Sequence, residues 1–306
     1  MYKEKFNIKY IPKNKGYRKI VTYKNSDCDL KKFHIKISRT IYNNTLPSKF
    51  AKAYIRKRSI ITNAKAHKYN DIYIFFDIKD FFQNINHNKL IEKLYFEINI
   101  KRKKKISKLD CYRIVKSCSL SNKGLGVGLI PSPILSNIYL KELDNILYGR
   151  LKKFGLPNVI YTRYADDMVI SFKKCDKYNL DEIELLVKNL LTRYGLKMNN
   201  NKTKVINLEK SNHVRITGIN ISKDSQNKRY LTVGRKRKNQ LYHDVIKLLN
   251  IKKEDRDKKE INRVKGMQSF ILSVEGISYE DSYSLGMIKI IEEFGFTNLK
   301  EAINSL

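Results

Sequence analysis

VIYTRYADDMVISF, residues 159–172, sets two adjacent carboxylates, Asp166 and Asp167, inside a run dominated by β-branched and aromatic residues. The apolar segments on either side predict two short strands with the Asp pair at the turn between them. Two ionised carboxylates so close repel each other, and apolar flanks add a desolvation cost. A chain tolerates this where a cation sits. Oxygen-only ligands suit Mg²⁺, which takes one or two carboxylates and completes its shell with substrate phosphates. The plain alternative is a polar Asp-Asp turn in a hairpin.

A second strand-like run, IYIFFDIKDFF (72–82), also leads to an acid. Ile72 to Phe76 are all apolar, and Asp77 follows, placing a carboxylate where a buried strand reaches the sheet edge. Asp77 and Asp80 could each instead cap a helix N-terminus. If Asp77 and Asp166-Asp167 converge, they make a two-metal site of the kind that clamps both oxygens of a phosphoryl transfer.

Composition narrows the partner. The chain has 306 residues, 63 Lys and Arg against 30 acids, and a formal net charge of +33. A lysine-rich background does not produce that imbalance, and a polyanion, most economically nucleic acid, is the expected partner. No run approaches the roughly 18 apolar residues of a membrane span, and no cationic amphipathic helix suggests a membrane surface. MYKEKFNIKY lacks the apolar core of a signal peptide. Cys28, Cys111, Cys118 and Cys175 make no C-x-x-C pair, so free thiols and a cytoplasmic location are expected.

The ordered motifs of the chain resemble the reverse transcriptases, and within them the bacterial retron type. IPKNKGYRKI (11–20) is similar to the first fingers motif, FFDIKDFF (75–82) to palm motif A, and GLIPSPILSNIYL (128–140) to motif B. YADD (164–167) resembles motif C, GLKMNNNKTKVI (195–206) motif D, HVRITGINI (213–221) motif E, and YLTVGRKRKNQL (230–241) the entry to the thumb. Asn63-Ala64-Lys65-Ala66-His67 matches the NAxxH element of retron enzymes, and Ile216-Thr217-Gly218 sits where they carry Val-Thr-Gly. One departure stands out. Gly126-Val127-Gly128 occupies the place of the Pro-Gln-Gly stretch of retron enzymes. An aliphatic there is closer to other defence-associated, Abi-like reverse transcriptases.

The resemblance implies an α+β right-hand polymerase. Fingers are expected over 1–71 and 88–130, a palm of antiparallel sheet backed by helices over 72–87 and 131–221, and a helical thumb over 222–306. LPSKFAKAYIRKRSIITNAKAH (46–67) reads as a helix leading into a loop, and residues 134–155 and 181–195 as two palm helices. IKRKKK (100–105) reads as a basic loop able to track template phosphates.

The resemblance also implies roles. Asp77, Asp166 and Asp167, with the backbone carbonyl of Ile78, would hold two Mg²⁺. Lys13 and Arg18 would grip the triphosphate. Phe82 would act as the steric gate against a ribose 2′-hydroxyl, with core packing as its plain alternative. Val127 would lie against the incoming nucleotide, and Lys202 would be a proton donor to pyrophosphate. Asn63, His67, Arg235, Lys236, Arg237 and Lys238 would contact RNA.

The activity expected is RNA-directed DNA synthesis of retron type. A structured noncoding RNA would be the partner, deoxynucleoside triphosphates the substrates, and an RNA–DNA duplex the product. Antiphage defence with a toxic effector protein would be the setting. The alternatives are a defence-associated reverse transcriptase with non-retron priming or untemplated synthesis, and a catalytically silent RNA-binding scaffold.

Overall fold

The computed structural model describes residues 6–12, 16–24, 29–100, 102–175 and 179–306, so Lys13 and Cys28 lie outside the described residues. Two compact units divide the chain, residues 1–207 and 208–306.

In the first unit a hairpin, β1 (Phe6–Pro12) with β2 (Tyr17–Tyr23), precedes α1 (Asp29–Asn44) and α2 (Ile60–His67). Then follow β3 (Ile72–Lys79), α3 (Phe81–Asn84), α4 (His87–Asn99), α5 (Lys108–Ser117) and α6 (Ser132–Leu151). The unit closes with β4 (Ile160–Tyr164), β5 (Asp167–Phe172), α7 (Leu180–Arg193), β6 (Lys197–Met198) and β7 (Lys204–Asn207). The five later strands form one antiparallel sheet. β4 pairs with β5 and β5 with β3, while the other edge of β3 takes β7 along its first half and β6 at its end.

The two-residue period of a strand explains what each face does. Ile72, Ile74, Phe76 and Ile78 of β3, with Met168, Ile170 and Phe172 of β5, join one core cluster with Leu90 and Leu94 of α4, Ile114 of α5, Leu143 and Leu147 of α6 and Leu190 of α7. Each such side chain removed from water stabilises the unit by about 1.5–3 kcal/mol. The alternate residues, Tyr73, Phe75 and Asp77 on β3 and Asp167, Val169 and Ser171 on β5, face the other way. α2 packs near β4, and the hydrogen bonds of its His67 to Thr162 and Ser171 place it over the far end of this second face. The 72–76 run therefore reads as continuously apolar because both faces are covered there. Asp77 and Asp167 stand at the opposite end of the same face.

The segment expected as helix-then-loop over 46–67 has the reverse order: the helix is Ile60–His67. Ser59 starts it with a reciprocal capping box to Thr62. Upstream, Tyr54 and Lys57 adopt left-handed backbone conformations at φ 61 and 62, which no helix accommodates.

In the second unit β8 (His213–Ile216), β9 (Ile219–Lys223) and β10 (Arg229–Thr232) form an antiparallel sheet. α8 (Arg235–Leu249), α9 (Lys258–Glu275), α10 (Leu285–Glu293) and α11 (Leu299–Ser305) follow it. Their core includes Leu241, Val245, Val264, Ile271, Ile291 and Ile303. Thr217 and Gly218 both have positive φ, 46 and 91, as a tight two-residue hairpin turn requires. The expected palm–thumb boundary at 221/222 falls inside β9, whose pairing on both edges keeps 208–221 with the helices that follow. Among the described residues no helix is long and apolar enough to cross a membrane.

Candidate active site

Asp77 on β3 and Asp167 at the start of β5 are cross-strand partners. The neighbouring pair exchanges a backbone bond, Ile78 N–H donating to Asp166 O at 3.1 Å. Asp77 and Asp167 therefore form a non-hydrogen-bonded pair, the closer kind, with Cα atoms about 4.5 Å apart in regular geometry. Because both groups of a strand residue point to the same edge, the Ile78 carbonyl is directed towards the Asp166 turn.

That turn is tighter than a polar loop. Tyr164 pairs with Asp167, leaving only Ala165 and Asp166 between the strands. Ala165 sits at φ 58, a conformation costly for a residue with a Cβ. Arg163, fully buried, supports it from the helix-covered side. Its Nε and NH2 donate to Asp144 Oδ1 and Oδ2 of α6, each at 2.9 Å. Its NH1 donates to Ala165 O at 3.1 Å and to Asn137 Oδ1 at 3.2 Å. Tyr161 donates to the same Asp144 carboxylate at 2.8 Å. Burial alone would lower the Arg163 pKa, but Asp144 more than offsets it and holds it above its ordinary value.

The carboxylates are electrostatically crowded. Burial raises the pKa of Asp166, a bond from its own backbone N–H opposes this, and the charge of Asp77 adds to the rise, with Lys202 and Arg18 countering. Asp167 has exposed surface, yet its carboxyl is pushed up to about 6, first by the protein around it and then by Asp166 and Asp77. Asp77 is buried and held on both oxygens. Asn199 Nδ2 donates to Oδ1 at 2.9 Å and Lys202 Nζ to Oδ2 at 2.7 Å. That bond raises the Lys202 pKa. The capping alternatives for the acids fail: Asp77 lies within β3, and Asp80 precedes α3 at φ 47 without a side-chain cap bond.

Arg18, on β2, is close enough to the turn to lower the Asp166 pKa. The β1–β2 hairpin that carries it is tied to the loop before α6. Val21 N–H donates to Val127 O at 2.7 Å, and Ile130 N–H donates to Tyr23 Oη at 3.2 Å. Tyr23 in turn bonds buried His34 at 2.7 Å. Gly128, at φ 105, is required by this approach, since a Cβ there would lie 2.5 Å from Val21 O. Val127 is half-buried and lines a cavity of about 220 Å³ with Lys19, Val21, Gln83 and Lys123. Phe82 is half-buried, 5.3 Å from the Phe81 ring, and packs on the main core.

Not every expected residue joins this cluster. Asn63 and His67 are fully buried. His67 bonds Ser171 at 2.6 Å and Thr162 at 2.7 Å, and burial drops its pKa to about 3. Expected as RNA contacts, both are instead interior residues with no surface to offer a ligand, and His67 ties α2 to the sheet. The four cations opening α8 also divide. Arg235 and Lys236 are exposed, Arg237 stacks over Phe270 at 5.1 Å, and Lys238 is buried against Glu275 at 3.1 Å. Lys13 lies outside the described residues. Asn199, Arg163, Asp144 and Tyr54 were not anticipated. Tyr54 is half exposed, and its pKa is raised by burial and then by Asp166.

A family profile described as "Reverse transcriptase (RNA-dependent DNA polymerase)" matches residues 11–231. The retron Ec83 reverse transcriptase of Escherichia coli is 26% identical over 255 residues, covering 80% of this chain and 76% of that protein. The retron Ec86 reverse transcriptase of Escherichia coli is 25% identical over 300 residues, covering 97% and 85%. Apo telomerase from Candida tropicalis superposes with a TM-score of 0.52 at 14% identity; the match takes in 98% of this chain and 63% of the telomerase. The motif order, the paired carboxylates and the profile match agree: this chain belongs to the reverse transcriptase family, adopts the α+β right-hand polymerase fold, and is an RNA-directed DNA polymerase of a divalent-metal-dependent class.

Proposed function

We propose that the chain is a retron-type reverse transcriptase that copies part of a bound, structured noncoding RNA into single-stranded DNA joined to that RNA. The observation that carries the polymerase reading is the Asp77–Asp167 cross-strand pair with Asp166 in the adjoining turn. The retron reading is supported by the relatives matched along most of the chain and by the NAxxH and Ile-Thr-Gly elements. On this reading 72–87 and 131–207 with the following sheet serve as palm, 1–71 and 88–130 as fingers, and the α8–α11 helices as thumb.

Two Mg²⁺ ions fit the residues present. The donors are all oxygen, and the raised Asp166 and Asp167 pKa values mark negative charge that a cation would relieve. Among the described residues no three acidic, histidine or cysteine side chains form a ready-made metal cage. Water and phosphate oxygens would therefore have to complete the shell of any ion held there, as they commonly do for Mg²⁺. Asp77, Asp166, Asp167 and the Ile78 carbonyl would hold the ions. Their chemistry is to lower the pKa of the attacking primer hydroxyl and to neutralise the departing pyrophosphate.

The rest falls to side chains. Arg18 binds the triphosphate with its planar fork, with Lys13 as a second cation. Lys202 orients Asp77 in the resting site and supplies a proton to the leaving pyrophosphate. Phe82 rejects the ribose 2′-hydroxyl. Arg235 and Lys236 contact the RNA backbone. A toxic effector and antiphage defence complete the proposed setting.

A second reading is favoured by Val127. An aliphatic where the retron pattern has Gln points to other defence-associated enzymes with different priming or untemplated synthesis. Sequencing the nucleic acid that copurifies with the protein, with and without debranching and RNase treatment, separates the two. RNA joined 2′–5′ to DNA copied from it is the expected result. Unbranched, repetitive or protein-linked DNA overturns the retron reading.

A further inference from the structure

Helix α1 carries an unusual charge arrangement. Its one acid, Asp29, lies in the first turn. Lys32, Lys36, Arg39 and Asn43 then recur at i, i+4, i+7 and i+11 on one face, spanning about 16 Å of helix. Like charges at i, i+4 destabilise a helix. Among the described residues Lys32, Lys36 and Arg39 make no ion pair. On other helices several cations are matched: Lys93 with Glu142, Lys108 with Glu92, Lys141 with Glu97, and Arg263 with Asp244.

A fourth cation comes from a different element. Arg102, in the connection between α4 and α5, is held by its Nε–H donating to Lys104 O at 3.1 Å. With Lys32, Lys36, Arg39, Asn43 and Asn44 it lines an open groove of about 560 Å³ with no acidic side chain among the described residues of its lining. Lys103 and Lys104 continue the positive surface beyond Arg102 and are exposed. The lining of the groove includes none of the residues assigned to the reaction centre. The cations that act on Asp166 and Asp167 are Lys202, Arg18 and Lys204, and none of the groove residues is among them.

We propose that this groove on α1 is a holding site for the phosphodiester backbone of the bound RNA, apart from the primer end that reacts. The inference rests on the reading of the chain as an RNA-bound polymerase and adds where the RNA is gripped. Unpaired cations spaced along a groove, with amide side chains beside them, suit a rod of regularly spaced phosphates. A membrane surface would need a broad apolar face beside the cations, whereas the uncharged lining here is mostly Thr40, Asn43 and Asn44.

The test uses the full chain with Lys36→Glu/Arg39→Glu, both exposed positions, and Lys153→Glu/Lys188→Glu as a charge-matched control elsewhere on the surface. Binding of a labelled RNA stem-loop is measured across a salt series, beside nucleotide incorporation on a short pre-annealed primer–template. Each phosphate contact contributes roughly 0.7–0.9 to the slope of log K against log salt, so the groove variant should lose roughly 1.5–2 in slope. It should bind RNA at least about tenfold more weakly than the control, while incorporation on the short substrate is unchanged. Slope and affinity equal to the control overturn the proposal, as does unchanged RNA binding with lost binding to phosphatidylserine vesicles. Wild-type protein that grips the stem-loop through the groove yet incorporates no nucleotide would count against the polymerase reading and leave the groove standing.

Discussion

Asp144→Asn should damage the protein far more than an Asp-to-Asn change on its surface. Arg163 and Asp144 are both fully buried, joined by two bonds of 2.9 Å. The amide keeps the shape but leaves the guanidinium as an uncompensated buried charge, which costs about 3–5 kcal/mol. For a unit of this size each kcal/mol lowers Tm by about 2–4 °C, so a fall on the order of 10 °C is expected. The effect on activity has a separate cause. Arg163 NH1 also holds the carbonyl of Ala165, whose left-handed backbone aims Asp166. Misplacing a reacting group by about 1 Å can cost on the order of 10²-fold in rate. Melting curves and steady-state incorporation, assayed well below Tm, measure the two effects. A triple variant, Arg163→Met/Asp144→Leu/Tyr161→Phe, separates them. Replacing a buried ion pair by apolar residues often restores stability, but it cannot restore the hold on Ala165. Stability should therefore return while kcat stays low. An Asp144→Asn protein that melts within about 2 °C of wild type would refute the energetic reasoning, and full activity in the triple variant would refute the positioning role.

Asp167→Asn should alter the pH dependence of metal-free protein. With its carboxyl at about 6 in the fold and about 3.9 unfolded, Asp167 holds its proton longer in the native state, so native stability falls as pH rises through that window. Denaturant melts across that range should show this slope in wild type and a flatter one in Asp167→Asn, and Mg²⁺ binding to wild type should tighten as pH rises. Gly128→Ala forces a Cβ to 2.5 Å from Val21 O in a left-handed backbone, and should cost at least about 1–3 kcal/mol; a melting temperature equal to wild type would contradict the close approach. Phe82→Ala should relax discrimination against ribonucleotides by about 10- to 100-fold in kcat/KM ratio, with deoxynucleotide use retained. Single-nucleotide incorporation with matched sugar pairs measures it, and an unchanged ratio leaves Phe82 to core packing alone.

Much of this site is written in local sequence. Alternation in 159–172 locates the hairpin and the acids, because a strand's period fixes which residues share a face. The Asp77–Asp167 juxtaposition depends on register between strands ninety residues apart, which only the ordered motifs suggested. Residues whose role comes from long-range packing were less legible. Asn199 sits in a polar, lysine-containing stretch, and only the pairing of β6 with the end of β3 brings it to Asp77. Arg163 is one cation among many, and its partner Asp144 is on another element. The clue available was an arginine at a strand position that alternation places in the core. His67 reads as a ligand contact in the sequence for the converse reason. Polar side chains can be interior anchors when hydroxyls such as those of Thr162 and Ser171 satisfy them.

The most direct test is incorporation of labelled deoxynucleotide by purified protein on an RNA template with a DNA primer and Mg²⁺, comparing wild type with Asp167→Asn of confirmed fold. Wild type should extend the primer to a templated product and stop when metal is chelated. Asp167→Asn should fall by at least about 10²- to 10³-fold, as for loss of a group that stabilises transition-state charge. Extension by Asp167→Asn at the wild-type rate, or none by wild type, would contradict the account.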